Sequence, residues 1–388
     1  MLAVDPHWLS LELAKDALQL QGRVLLHAGP PMRDYSDLVR PVLNSAVMAV
    51  LFEHWAETEE EAEALILSSH LEVRAAQDCH AVVPLADVLS PSMWVQVVGD
   101  RKGRDSVAYS PLNGGVGPVM RVGQRTAQVL AHLRWINGEF AEVLRSAIDS
   151  EIPLLELADL GLALGDDCHG RTSNATAALG KILAKRLPDG SAGVRCRSFL
   201  ETSPSFFLNL WMAATKCMMR SAEGIRGSAV ITAAGGNGAW FGIKIADSPE
   251  QWLTAPAEPP LISAATTWQQ ERSLGAIGDS SVVDMFGLGA MTWRSDLASD
   301  PPYAELFPQS IGLSKRLLMQ QHPRLKKTKP LTVLSARTIL STQEAPIVSL
   351  GVLDKMGTDG RLGGGFYRPP VSLFETACSR VQHDREPP

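Results

Sequence analysis

Apolar and polar positions along this chain change period several times, and each change marks an element. Residues 11–20 read as a helix ended by Gly22. Val24-Leu25-Leu26 follows as a short buried strand running into His27-Ala28-Gly29-Pro30-Pro31, where two prolines force an extended or turning backbone. Residues 40–55 read as a buried helix, and Thr58 with Glu61 three residues on opens another through a capping box. Trp94-Val95-Gln96-Val97-Val98 reads as a strand. Val129, Leu133, Ile136, Phe140, Val143 and Leu144 then trace a long amphipathic helix.

The middle of the chain is its densest part. An apolar run over 155–164 leads into a polar knot, and a helix follows until Pro188-Asp189-Gly190 breaks it. Residues 206–222 form a very apolar helix in which Asn209 and Lys216 are the polar exceptions. Such groups are expensive inside a protein unless paired. Ala229-Val230-Ile231-Thr232 and Phe241-Gly242-Ile243-Lys244-Ile245 read as two strands of a hairpin, joined by Gly235-Gly236-Asn237-Gly238. Gly278-Asp279-Ser280 precedes another apolar segment. Beyond it come a polar stretch over 295–330 with a helix near 311–320, a strand at 347–352, a glycine turn at 363–365 and a charged tail after Cys378. The pattern predicts an α+β protein, multidomain, helix-rich and with short sheets, and no internal repeat. Edges near 125, 200 and 300 divide it into an N-terminal α/β region (1–125), a helical region holding the polar knot (126–200), an α+β core with the hairpin (201–300) and a C-terminal α/β segment and tail (301–388).

Composition narrows the function. With 388 residues, 45% hydrophobic and 20% charged, the chain has the make-up of a soluble globular protein. A net charge of −6 speaks against a general nucleic-acid binder, which shows a basic face. Five cysteines without framework spacing or a CxxC pair point to a reduced, cytoplasmic protein without a structural zinc. The N-terminus lacks a signal-peptide profile, and no apolar run approaches the roughly 18 residues of a membrane span. The loop Asn113-Gly114-Gly115-Val116-Gly117 matches neither nucleotide fingerprint, so no cofactor is expected.

The polar knot is Gly165-Asp166-Asp167-Cys168-His169-Gly170-Arg171-Thr172-Ser173-Asn174. Two carboxylates, a thiol, an imidazole, a guanidinium and an amide stand directly before a helix, where free N–H groups and the helix dipole suit an anion. The plainer alternative is an ornate cap, with Thr172, Ser173 or Asn174 closing the helix. Cys168 is a poor nucleophile candidate because the adjacent Asp167 raises its pKa.

Several of these segments together resemble one family, the YlbE-like or AllG-like proteins. They are Leu26-His27-Ala28-Gly29-Pro30-Pro31, Ser90-Pro91-Ser92-Met93, the knot from Gly165 to Arg171, and Phe206-Phe207-Leu208-Asn209-Leu210. Asn237-Gly238 with Phe241-Gly242-Ile243, Ile277-Gly278-Asp279-Ser280, Ser335-Ala336-Arg337 and Gly363-Gly364-Gly365 with Pro369-Pro370 continue the series. The resemblance runs co-linearly over residues 22–378. Relative to family members, the N-terminal Rossmann-like region is largely absent. A row of histidines is also mostly missing where this chain reads Ala76-Gln77-Asp78-Cys79-His80, so no metal is expected.

The resemblance implies a carbamoyltransferase-type enzyme subunit of the kind linked to oxamate in allantoin degradation. It would move a carbamoyl group between phosphate and an amide or amine acceptor. Its partners would be carbamoyl phosphate or a related anion and an FdrA-like subunit, with possible further subunits, in an oligomer. Arg171 then suits an oxyanion contact, His169 polarises a carbonyl or shuttles a proton, and Asp167 orients it. Asn174, Asn209, Asn237, Gly238, Lys216, Asp279 and Ser280 are the expected substrate-binding set, with His27 and His80 as further candidates. Each has a structural alternative: Asn237 as a turn residue, Lys216 snorkelling, Asp279 as a helix cap, His27 in the core, and Cys79 and His80 as remnants of the histidine row. Two rival functions follow. The chain is a non-catalytic scaffold or regulatory subunit of an FdrA-like complex, or a diverged acyl or carbamoyl transferase.

Overall fold

The computed structural model describes residues 1–68, 70–103, 106–263, 266–292 and 303–383. Its centre is the helix Phe206–Arg220, buried at all but two positions. A helix apolar on every side can only be an interior element. It packs on strands Pro6–Leu13, Trp94–Asp100 and Val107–Pro111 on one side, and on Ile231–Asn237 and the short helix Ser281–Phe286 on the other.

Two four-stranded antiparallel sheets flank it. The first runs Val107–Pro111, Trp94–Asp100, Pro6–Leu13, Ile152–Pro153, and the second Ser248–Pro256, Trp240–Ile245, Ile231–Asn237, Ile277–Gly278. A three-stranded sheet pairs Val24–His27 in parallel with Glu72–Ala75 and antiparallel with Val88–Leu89. Two hairpins, Leu318–Gln321 with Leu331–Leu334 and Val348–Leu353 with Arg361–Tyr367, complete the sheets. This is a mixed α+β fold with short sheets. The first sheet takes strands from both sides of residue 125, one apolar cluster spans Val4 to Val381, and a second gathers residues from Ala14 to Leu133 with Leu274, Ile277 and Leu353. Among the described residues, no helix is long and apolar enough to cross a membrane.

Many expected elements are present, including the Thr58 capping box, in which Glu61 N–H donates to Thr58 Oγ1 at 3.2 Å. The differences have local causes. The helix expected over 11–20 gives way to the strand Pro6–Leu13 and a single turn, Ala14–Ala17. A bulge between Trp8 and Ser10 breaks the strand's two-residue alternation and hides it from a periodicity reading. The helix near 311–320 stops after Leu313–Leu317 because Leu318 pairs with Leu334. Gly235-Gly236-Asn237 and Gly363-Gly364-Gly365 lie inside strands rather than in turns. At Gly236 a Cβ would sit 2.0 Å from the Ala276 carbonyl oxygen, so the glycine is needed for close strand approach. The long amphipathic helix carries a π segment at Ile136–Phe140, centred on non-helical Gly138. Residues 293–302, which include the start of the 295–330 stretch, lie outside the described residues, as does the tail from 384.

Candidate functional site

The polar knot folds by dividing its two carboxylates. Asp166 caps the helix Ser173–Ala184, accepting from Asn174 N at 3.2 Å, Ala175 N at 2.9 Å and Asn174 Nδ2 at 2.9 Å. The cap is therefore supplied from seven residues upstream of the helix's first residue, and Thr172 makes no capping bond. Asp167 Oδ1 closes the loop, accepting from His169 N at 2.8 Å and Arg171 N at 2.9 Å. Cys168 is buried in a left-handed conformation, and burial pushes its thiol far above the ordinary range, with Asp167 adding to the effect. Arg171 is half exposed, with Nε 3.7 Å from Asp167 Oδ2.

His169 is turned inward. Its Nδ1 lies 2.5 Å from Asp284 Oδ2, and Asp284 Oδ1 accepts from Ala290 N at 2.8 Å and Ser349 N at 3.2 Å. Burial works to lower the His169 pKa, but the charge and hydrogen bond of Asp284 outweigh it, and the net shift is upward. Burial likewise raises Asp284, only partly offset by His169. The pair holds its proton to higher pH than a free imidazole does. Asp284, not Asp167, orients the ring. The sequence signal for it was a lone carboxylate in the apolar run Val282-Val283-Asp284-Met285-Phe286.

The imidazole borders a cleft of about 380 Å³. Arg121 and Arg361 line it together with His169, and its described lining residues include no carboxylate. Asn113, Asn209, Ser280 and Ser349 add polar groups, while Leu208, Leu350 and Phe366 supply apolar wall. Such a cleft attracts an anion. Arg361 Nε donates to Gly363 O at 3.0 Å, and burial lowers its pKa. Arg121 Nη2 donates to Gly115 O, while its Nη1 is buried and meets no acceptor among the described residues. Asn113 Nδ2 donates to Asn209 Oδ1 at 2.9 Å and Asn209 Nδ2 to Pro111 O at 2.9 Å, tying the glycine-rich loop to the central helix. Neither arginine was singled out from sequence, because each stands alone on its own segment.

Of the expected site residues, the cleft gathers His169, Asn209 and Ser280. Asp167, Arg171, Asn174, Lys216, Asn237, Gly238, Asp279, His27 and His80 are not among its lining residues. Asn174 Nδ2 serves the Asp166 cap, and Asn237 Oδ1 accepts from Ala239 N at 3.0 Å and Trp240 N at 2.7 Å to close the hairpin turn, which also contains Gly238. Asp279 is the hub of a second, closed cluster: it accepts from Gly29 N at 2.9 Å, Val83 N at 2.9 Å and Gln77 Nε2 at 2.6 Å. Burial pushes its carboxyl up to about 7. Lys216 Nζ is fully enclosed, donating to Glu223 Oε1 and Thr232 O at 2.9 Å each, so it does not snorkel to water. His27 is a core histidine beside Ala28 O, and burial pushes it down to about 4. His80 is also pushed down to about 4, by burial and then by Arg220 and Lys216. No group of three or more metal-ligating side chains occurs among the described residues.

A family model described as oxamate carbamoyltransferase subunit AllG matches residues 71–280. The chain is 30% identical to a protein of that name from Escherichia coli (strain K12), over 97% of this chain and 94% of the relative. It is 26% identical to the uncharacterized protein YahG of the same organism, over 92% of this chain and 78% of that one, so YahG is the relative with substantial sequence outside the match. A crystal structure of a conserved protein of unknown function from Enterococcus faecalis V583 superimposes with a TM-score of 0.87, covering 98% and 95% of the two chains at 21% identity. That last likeness concerns the fold.

Proposed function

The chain belongs to the AllG family, and from that premise we propose that its His169 cleft binds a small anionic carbamoyl donor or acceptor and takes part in carbamoyl transfer. The observation that carries this is the His169–Asp284 pair opening on a cleft with two arginines and no carboxylate among the described lining residues. In such a transfer the acceptor nitrogen attacks the carbamoyl carbon, the carbon–oxygen bond to phosphate breaks, and phosphate leaves with the electron pair. The nitrogen gives up one proton. A histidine held protonated suits the acid side of this exchange, stabilising charge on the carbonyl or phosphate oxygen. Arg121 and Arg361 would hold anionic oxygens. Asn209 and Ser280 would orient the ligand, and Asp167 and Arg171 would shape the loop that presents His169. The unpaired cysteines suit a cytoplasmic setting.

A second reading has its own support: the matching family is described as a subunit, which fits a chain completed by an FdrA-like partner, with or without catalysis of its own. One assay separates the two. Phosphate release from carbamoyl phosphate with oxamate is measured for the chain alone and with the co-expressed partner. Turnover that falls by about 100-fold or more in His169→Gln places the chemistry at this cleft. Turnover with the partner that is indifferent to His169→Gln and Arg361→Ala assigns this chain the scaffold role, and no turnover in either preparation overturns the carbamoyl-transfer reading.

A further inference from the structure

The cleft has a carboxyl group behind its wall that the proposed chemistry does not use. Asp87 is buried, a lone charge in the apolar segment Val82-Val83-Pro84-Leu85-Ala86-Asp87-Val88-Leu89. The main chain fixes it beside Arg121, since Ala86 N–H donates to Arg121 O at 3.1 Å and Asp87 N–H to Pro84 O at 2.9 Å. Arg121 lines both the large cleft and a second cavity of about 30 Å³, whereas Asp87 lines only the small one. A space of that size holds about one water molecule and leaves no room for a ligand beside Asp87.

The geometry points to Asp87 as the positioning residue for Arg121, setting the guanidinium to receive an anionic group of the ligand; this rests on the anion-cleft reading above. Three features bear on that guanidinium. Nη2 is fastened to Gly115 O, in a loop that Asn113 holds through Gly115 N at 2.9 Å. Nη1 is buried without an acceptor among the described residues, and Asp87, which lines the small cavity with Arg121, supplies opposite charge. A buried guanidinium with an unfilled donor is costly unless charge opposes it, and its planar fork must be fixed to meet two oxygens at once. The same proximity shows on Asp87 itself: burial pushes its carboxyl up to about 7, and Arg121 works to lower it.

The test titrates inorganic phosphate into the full chain by calorimetry, with thermal melting run alongside. Wild type, Arg121→Ala, Asp87→Asn, Asp87→Glu and the double variant Arg121→Ala/Asp87→Asn are compared. Asp87→Asn is expected to weaken phosphate binding by about tenfold, Asp87→Glu to recover most of it, and the double variant to bind no worse than Arg121→Ala. Binding unchanged in Asp87→Asn but lost in Arg121→Ala overturns the positioning role alone, and so do single effects that simply add. Should Asp87→Asn fail to fold, Asp87→Glu decides: phosphate bound as in wild type supports the role, and binding lost with an intact melt overturns it. Wild type that binds no phosphate overturns the anion-cleft reading and this inference with it.

Discussion

Two aspartates five residues apart, Asp279 and Asp284, are both fully buried, and in both burial raises the carboxyl. They do different work because of what faces them. Asp279 meets two backbone N–H groups and a glutamine amide from three other segments, and pins residues 27–31, 76–79 and 81–83 to the strand end before the short helix Ser281–Phe286. Asp284 meets two backbone N–H groups and an imidazole that borders a cleft. A buried carboxylate whose every partner is fixed by the fold is a clasp. One whose partner is titratable and borders a cavity can do chemistry.

The comparison breaks first at Asp279. Replacement by leucine removes the acceptor and leaves Gly29 N and Val83 N without a partner, while Gln77 Nε2 keeps only Ala234 O. Each orphaned donor costs about 1–3 kcal/mol, so a loss of about 3–5 kcal/mol is expected in urea denaturation. A loss under about 1 kcal/mol would show that the clasp contributes little.

Asp284→Asn is expected to lower activity by about 100-fold with a smaller loss of stability, and to bring the His169 pKa down, read by NMR titration of the ring. The sign of the pH effect follows from the direction of the shift. His169 lies above its unfolded value of 6.5, so its contribution to stability is fully present below about pH 6.5 and is lost as pH rises through the folded value. Asp284 is also raised, so its contribution likewise falls with rising pH. The stability gap between wild type and Asp284→Asn should therefore be wider at pH 6 than at pH 9, and a gap that widens toward alkaline pH contradicts the pair.

Arg361→Ala against Arg171→Ala sharpens where the anion sits. Arg361 lines the cleft and Arg171 is half exposed beside Asp167. Phosphate affinity should fall about tenfold or more for the first and less than about threefold for the second. The reverse order would return the anion to the Gly165–Arg171 loop.

These contrasts also mark what the sequence could tell. The polar knot, the apolar helix with Asn209 inside it and the Thr58 cap were legible because each signal lies within one segment. The cleft was legible only in part. His169, Asn209 and Ser280 were flagged, but Arg121, Arg361 and Asp284 are single charges on three distant segments that only the tertiary fold brings together. Glycines misled for a related reason. Gly235 and Gly236 looked like turn residues, yet they stand in a strand because a Cβ at Gly235 would lie 2.5 Å from Asp279 Oδ1. Contact across the fold, which no local pattern carries, set their identity.

Asp166 supplies the smallest effect and the finest test of the clasp. Like Asp279 it serves backbone donors, accepting from Asn174 N and Ala175 N, but it sits at a helix start whose Asn174 is partly open to water. Its removal opens the Asn174 donors to water and leaves only Ala175 N buried, so Asp166→Ala should cost about 1–2 kcal/mol, the range of an N-cap, against the larger loss at Asp279. The two substitutions remove similar numbers of hydrogen bonds, so the gap between their measured losses isolates the cost of leaving donors dry. Equal losses would mean that hydrogen-bond count, not burial, sets the strength of a carboxylate clasp in this fold.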